Sequence, residues 1–268
     1  MFYFVFIFGL IAGSFLNVVI HRLKNGRNMV FGRSFCPKCK TQLKWPDLAP
    51  LLSFVYLRGH CRYCRKKISW QYPIVEILSG FIWILAAYKS NFQFSIFNFQ
   101  FLNLEILKYL NFFYYIFILS SFLIIAVYDF KWKIIPDKIV YPAIIVVFIY
   151  NFLKSLNLEI LKYPLLTAVI AFFFFFLIYF FSSGRAMGLG DAKLAFLIGL
   201  FLSPSAAVLA FTLAFVIGAA FGIILMGFGR IFPQYKKWGM KSQIAFGPFL
   251  VLGVIIAFLF SNFINFIN

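Results

Sequence analysis

Acidic residues are scarce in this 268-residue chain: seven Asp and Glu stand against 25 Lys and Arg, and only 12% of residues are charged. Each carboxylate therefore needs a reason, and the seven can be taken one at a time. Histidine is scarcer still, at two, which leaves no Ser/His/Asp set for hydrolysis. The four cysteines all fall in one short segment and are accounted for there, so none is left as a nucleophile.

What is abundant is apolar. The chain is 63% hydrophobic and 22% aromatic, with 41 Phe, more than a soluble core needs. Runs long enough to cross a hydrocarbon layer lie near 1–20, 72–88, 112–128, 138–153, 164–182, 191–203, 205–227 and 244–264. The expected fold is an all-α polytopic membrane protein of about eight transmembrane helices. The first run follows no basic residue, precedes no small-residue cleavage site and leads into a dense basic segment, so it reads as an uncleaved anchor.

Charge sets the expected topology. With residues 21–71 in the cytoplasm, all of the 25 Lys and Arg except Lys89, Lys108, Lys154 and Lys162 fall on the cytoplasmic side. Such a bias predicts eight spans with both termini outside. It also accounts for the net charge of +18 through topology and anionic headgroups, without a nucleic-acid partner. The sixth run is short, ending before Ser203-Pro204, so either Asp191 at its start is recessed or Pro204 only kinks the helix.

The domain division expected is a first span at 1–20, a cytoplasmic unit at 21–71 and a transmembrane domain at 72–268. The cytoplasmic unit carries Cys36-Pro37-Lys38-Cys39 and Cys61-Arg62-Tyr63-Cys64, with 21 residues between the pairs. Two such knuckles offer four thiolates to a tetrahedral zinc or iron ion. A redox dithiol pair is the other reading. Structural zinc is favoured, because a reducing cytoplasm disfavours disulfides and a segment this small needs a staple. A closed four-sulfur site has no open position for catalysis.

Among the acids, Asp47 suits a turn or cap, and Glu76 suits the first turn of the second span. Glu105 and Glu159 each precede a lysine by three residues and suit solvated helical pairs. They lie in an octapeptide found at both 102–109 and 156–163, for which interfacial amphipathic turns are expected. Asp137 directly precedes an apolar run, as an N-cap would. Asp129 ends the third run and Asp191, in Gly188-Leu189-Gly190-Asp191, opens the sixth. Two crossings separate them, so both emerge on one face. Two carboxyls at an apolar boundary are expected to share one proton, the aspartic-protease arrangement, although Asp191 could instead merely cap its helix. Gly188 and Gly190 would let a substrate strand approach.

With these residues in view, the chain resembles the bacterial type IV leader peptidase family over nearly its whole length. The matching segments are Gly13 to Leu23, the two cysteine pairs, Pro50-Leu51-Leu52-Ser53, Leu57-Arg58-Gly59, Tyr72-Pro73-Ile74-Val75-Glu76, Asp129 with Ile135-Pro136-Asp137, Gly188 to Leu194, and Phe246-Gly247-Pro248. The resemblance implies a GxGD aspartic membrane protease of the bacterial inner membrane that removes basic leaders from type IV prepilins or secretion pseudopilins at the cytoplasmic face. It implies Asp129 and Asp191 as the catalytic pair, with Gly188, Gly190 and Lys193 supporting their loop. The cysteine-bearing loop is similar to that of members that also methylate the new N-terminal residue from S-adenosylmethionine, with Glu76, Arg58 and Gly59 as candidate contacts for the methyl donor. Lys24, where proline is common, and Gln71, where arginine is common, depart from the family pattern without touching the aspartates. Gly13, Asn17 and His21 form a stripe on the first helix, read as helix packing ahead of substrate recognition. Two other readings stand beside the peptidase: a GxGD protease of other transmembrane substrates, and a non-enzymatic zinc-bearing membrane scaffold or transporter.

Overall fold

The apolar runs become helices. The computed structural model describes residues 2–26, 28, 32–92, 103–155, 158–231 and 245–267, without the side chains of 103–106, 155, 158–160, 228–231 and 262–267. Among them are α1 (Phe2–Lys24), the short α2 (Leu52–Tyr56), α3 (Gln71–Lys89), α4 (Asn103–Trp132), α5 (Asp137–Ser155), α6 (Leu158–Phe181), α7 (Leu189–Phe201), α8 (Pro204–Ile231) and α9 (Gly247–Ile267). No strand occurs among the described residues, only two isolated bridges, Phe35 with Gln42 and His60 with Lys67. Helices α1, α3, α4, α6 and α8 are long and apolar enough to cross a membrane; α7, at 13 residues, is not. The large apolar side chains exposed along α6 and α8, such as Phe173, Phe180, Val216 and Ile223, suit a lipid surrounding.

The chain divides into two compact units, Met1–Ile124 and Ile125–Asn268, with α4 running through the boundary. In the first, α1 and α3 approach closely at small residues. A Cβ on Gly13 would stand 2.6 Å from the Glu76 Cα. Asn17, buried beside it, donates to the carbonyls of Gly13 (3.3 Å) and Tyr72 (3.1 Å) and accepts from Gln71 Nε2 (3.2 Å). These bonds give Gly13 and Asn17 a packing role. His21 stands one turn on, near Asn25 and edge-on to Phe35.

Beyond α1 the chain builds the cysteine unit. Arg22 is buried at the helix end and donates to the carbonyls of Gly32 (2.6 Å) and Asn28 (3.4 Å), so its charge organises the loop entry. The two cysteine turns are copies of one another at an offset of 25 residues. Cys36 N–H donates to the Thr41 carbonyl and Lys40 N–H to the Cys36 carbonyl; Cys61 N–H donates to Lys66 and Arg65 N–H to Cys61, all at 2.8–2.9 Å. Lys40 (φ 60°) and Arg65 (φ 52°) turn left-handed at equivalent places. Asp47 ties the turns together, taking the Lys44 amide (3.1 Å), the Tyr63 hydroxyl (3.1 Å) and Arg62 (2.6 Å).

In the second unit the tight contacts are again at small residues. Gly199 of α7 lies against the Ala168 backbone of α6, and Asn151 of α5 donates to the Leu200 carbonyl at 2.8 Å. Together they fix α7 between α5 and α6, and with it the acid at its first turn. Where described, the repeated octapeptides are helical, 103–109 forming the opening turns of α4 and 158–163 those of α6, while 102 and 156–157, and the Glu105 and Glu159 side chains, lie outside the described residues. Arg27, Lys236, Lys237 and Lys241, counted in the charge bias, lie outside them too.

Candidate active site

Asp129 occupies the last turn of α4, where the helix stops because Lys133 adopts φ 56° and returns its N–H to the Asp129 carbonyl at 2.7 Å. Its carboxylate is 5% exposed and accepts the Gly247 amide at 2.9 Å. That amide belongs to the first residue of α9, where unpaired helical N–H groups favour an anion. Phe246 holds the entry to α9 in place, with its ring 5.2 Å from Phe215, which stacks in turn on Phe175 at 5.8 Å. Only glycine fits at 247: a Cβ there would lie 2.6 Å from Asp129 Oδ2.

Asp191 is the third residue of α7 and is 9% exposed. Its Oδ2 accepts the Gly188 amide at 3.0 Å, the carboxylate half of a capping box. The capping expectation for this residue therefore has a geometric basis, alongside any chemistry. Asp129 is near enough for its charge to act on Asp191. One oxygen of each acid is fixed by a backbone amide, which leaves the other to exchange a proton. Two carboxyls so placed have the chemistry that acid–base catalysis asks of a pair, one oxygen of each held and one free.

The residues around Asp191 hold α7 against the turn that follows Asp129. A Cβ on Gly190 would come 3.0 Å from Ile135 Cβ, so the glycine lets Ile135 seat there. Gly188, in extended backbone, has only ordinary contacts around its Cα, and its contribution is the amide. Lys193 pairs with Asp137 Oδ1 at 2.8 Å and lies 5.2 Å from the Tyr141 ring. Asp137 is thus the first residue of α5, one past the cap position, and its carboxylate serves Lys193.

The four cysteines converge as their spacing predicts. All four Sγ atoms lie within 4.8 Å of one another. Zinc–sulfur bonds of about 2.3 Å put tetrahedral sulfurs just under 4 Å apart, so the set fits one ion after slight contraction. Without an ion four clustered sulfurs cannot all ionise. Hydrogen bonds from the Thr41 side chain and backbone pull the Cys39 thiol down to about 6. The Lys66 amide favours the Cys64 thiolate, but burial and hydrogen bonds to the neighbouring sulfurs outweigh it and push Cys64 up to about 11.

The residues implied for the methyl donor have structural duties. Glu76 is buried in α3 and accepts the Leu51 amide at 2.9 Å. The Arg58 carbonyl meets His60 Nδ1 at 2.7 Å, and the Gly59 carbonyl takes the Ile68 amide at 2.8 Å. The Arg58 side chain is exposed. Sequence reasoning missed Gly247 as a partner of Asp129. Its only signal was membership of the matching Phe246-Gly247-Pro248 segment, since a backbone donor leaves no mark in an inventory of side chains.

Comparison with known proteins agrees in both units. Residues 7–90 match the model of the bacterial peptidase A24 N-terminal domain, and residues 116–223 that of the type IV leader peptidase family. A prepilin leader peptidase/N-methyltransferase of Vibrio cholerae is 31% identical over 271 residues, covering 94% of this chain and 94% of that protein. One of Klebsiella pneumoniae is 32% identical over 213 residues, covering 74% and 84%. One of Bacillus subtilis is 28% identical over 262 residues, covering 96% and 94%. No solved structure matches the chain.

Proposed function

The chain belongs to the type IV leader peptidase family, and we propose on that basis that it is a membrane aspartic endopeptidase and N-methyltransferase. It cleaves the basic leaders of type IV prepilins or pseudopilins and methylates the residue so exposed. The observation that supports the peptidase reading is a pair of buried acids, Asp129 and Asp191, each fixed by a backbone amide and near enough for the charge of one to act on the other.

In this reading one carboxylate takes a proton from water while its protonated partner hydrogen-bonds the scissile carbonyl. The new oxygen–carbon bond forms and the carbonyl oxygen takes the partner's proton; the carbon–nitrogen bond then breaks as the first carboxyl gives its proton to the leaving amine and one hydroxyl of the tetrahedral carbon returns its proton to the partner, re-forming the carbonyl and the starting dyad. Lys193 and Gly190 hold α7 so that Asp191 meets Asp129. The finer arrangement we propose has eight spans, α5, α7 and α9 included, in the bacterial inner membrane, with both termini outside and the cysteine unit and acids on the cytoplasmic side. A prepilin leader is basic and the adjoining segment apolar, so its scissile bond would meet the acids at that boundary.

Cys36, Cys39, Cys61 and Cys64 would hold a structural zinc ion that closes the unit at 21–71. S-adenosylmethionine, when bound, supplies an electrophilic methyl group to the neutral amine released by cleavage. Of the residues proposed to meet it, Arg58 presents an exposed side chain, whereas Gly59 has both its amide and carbonyl bonded within the unit and Glu76 has one oxygen committed to Leu51.

The test is cleavage of a purified prepilin by the detergent-solubilised protein and by its Asp129→Asn and Asp191→Asn variants. Asparagine keeps an acceptor for the Gly247 or Gly188 amide while removing the proton chemistry. Loss of cleavage in both supports the dyad, and retained cleavage in Asp191→Asn returns that residue to a purely capping role. Labelled S-adenosylmethionine in the same assay reports methylation; label that never reaches the mature N-terminus removes the second activity.

A further inference from the structure

The short helix α2 is held beside the opening turns of a span by two independent contacts, and its outer stripe is apolar. Leu51, just before it, is forced to φ 57°, a region that an L side chain enters only when its surroundings demand it. A tight turn, with the Leu52 amide on the Pro50 carbonyl, sets that backbone, and it aims the Leu51 amide at Glu76 Oε2, to which it donates at 2.9 Å. Glu76 is the sixth residue of α3, about 8 Å along the axis from Gln71 at roughly 1.5 Å per residue. Phe54 of α2 packs on Trp70, the residue before α3, with ring centroids 5.1 Å apart. At its far end the Gly59 amide closes on the Phe54 carbonyl at 2.8 Å.

That placement puts α2 at the level where α3 leaves the hydrocarbon, within the headgroup layer of roughly 5–7 Å on each side. There it exposes Leu52 (74%), Val55 (72%) and Tyr56 (81%), spaced as one helical stripe, with Trp70 (71%) beside it. Such a stripe facing water would be costly, and aromatic residues at the mouth of a span are typical of the interface. Exposed Lys44 and Arg58 flank the helix on either side, which complements an anionic lipid surface and repels a basic peptide.

We propose that α2 is an interfacial helix that seats the cysteine unit on the bilayer, and that the buried Glu76 carboxylate is its anchor. The stripe of Leu52, Val55 and Tyr56 enters the boundary between headgroups and acyl chains, while Lys44 meets lipid phosphates. Glu76 thereby has a positioning task in this chain, setting the depth of α2 through the Leu51 amide.

The experiment uses the full-length protein in vesicles of phosphatidylethanolamine and phosphatidylglycerol. Photoreactive benzoylphenylalanine is placed at Tyr56 or, as control, at exposed Lys67 on the second cysteine turn, and adducts are read by mass spectrometry. Lipid adducts at Tyr56 exceeding those at Lys67 by about tenfold are expected for an interfacial stripe. Equal yields at the two positions, or adducts formed instead with a second copy of the chain or with an added prepilin, overturn the proposal. Glu76→Leu should reduce the Tyr56 lipid adduct about fivefold as α2 leaves the interface, with bound metal unchanged. Glu76→Gln, which keeps an acceptor for Leu51, should restore it. An undiminished adduct in Glu76→Leu removes the anchor from the proposal.

Discussion

The Gly247 amide and the Asp129 carboxylate meet at 2.9 Å across 118 residues of sequence, joining the end of α4 to the beginning of α9. The orientation of Asp129 thus depends on a residue with no side chain. In Gly247→Ala the new Cβ would fall 2.6 Å from Asp129 Oδ2, and the carboxylate must move. Prepilin cleavage should fall by about a hundredfold, the usual effect of a displacement near 1 Å at a reacting group. Methylation of a pilin cleaved beforehand should continue. Cleavage kinetics on the full-length substrate check the first outcome, and label transfer to mature pilin the second.

The two glycines before Asp191 should behave unlike each other. Gly190→Ala presses on Ile135 at 3.0 Å, whereas a methyl at Gly188 meets Asp191 Oδ2 at 3.6 Å and the Gly190 nitrogen at 3.9 Å, both ordinary contacts. Gly190→Ala is expected to cost about 1–3 kcal/mol of overpacking and to slow cleavage, with partial recovery on adding Ile135→Ala, which removes the Cγ1 and Cδ1 contacts at 3.4 and 3.5 Å. Gly188→Ala keeps its amide donor and should remain close to the parent. Thermal unfolding in detergent and cleavage rates, measured on all three variants, decide it; equal damage from both alanines would refute the Ile135 contact as the cause.

The Lys193–Asp137 pair should contribute geometry more than stability. Asp137 is more than half exposed, so removing the pair with Asp137→Asn should cost roughly 0–1 kcal/mol. Lys193→Met should be similar in stability but lower cleavage several-fold, because the pair ties the first turn of α7, which carries Asp191, to the start of α5. A double variant that exchanges the charges, Asp137→Lys with Lys193→Asp, should recover part of the rate. No recovery would mean that Lys193 acts other than through Asp137.

The cysteine cluster predicts proton release. With Cys64 held up to about 11 and Cys39 down to about 6 in the metal-free protein, only part of the thiolate set exists at neutral pH. Zinc binding at pH 7 should expel at least the Cys64 proton, and its affinity should fall as pH drops, since protons then compete for the same sulfurs. Calorimetry in buffers of different ionisation enthalpy measures the protons released. Metal analysis should find one ion per chain, lost in Cys36→Ser, and chelation should open the residues between the two turns to protease.

Much of the fold was legible because a membrane demands unbroken apolar length, and each of the eight runs coincides with a helix. The boundaries were less legible. Pro164 looked like the start of a span, yet it sits inside α6, and the α4 helix begins at Asn103, well before its apolar run at 112. Helical hydrogen bonding continues through polar residues that a hydropathy scan discards. Asp129 and Asp191 could be found because so few acids competed with them. The partnership of Asp137 with Lys193 could not, being a contact made across 56 residues. Neither could the burial of Arg22, which a charge count treats as one more cation at a helix end.

The two cysteine turns, repeated at an offset of 25 residues, bracket the whole stretch that carries α2. If one ion joins them, that stretch is a closed loop whose ends cannot separate, and the entropy its unfolded form would otherwise regain is curtailed. Redox state and metal supply then reach further than the sulfurs themselves. Oxidation of the thiols or depletion of zinc would release both ends of the loop together, leaving the Leu51–Glu76 bond and the Phe54–Trp70 packing to hold α2 to its span.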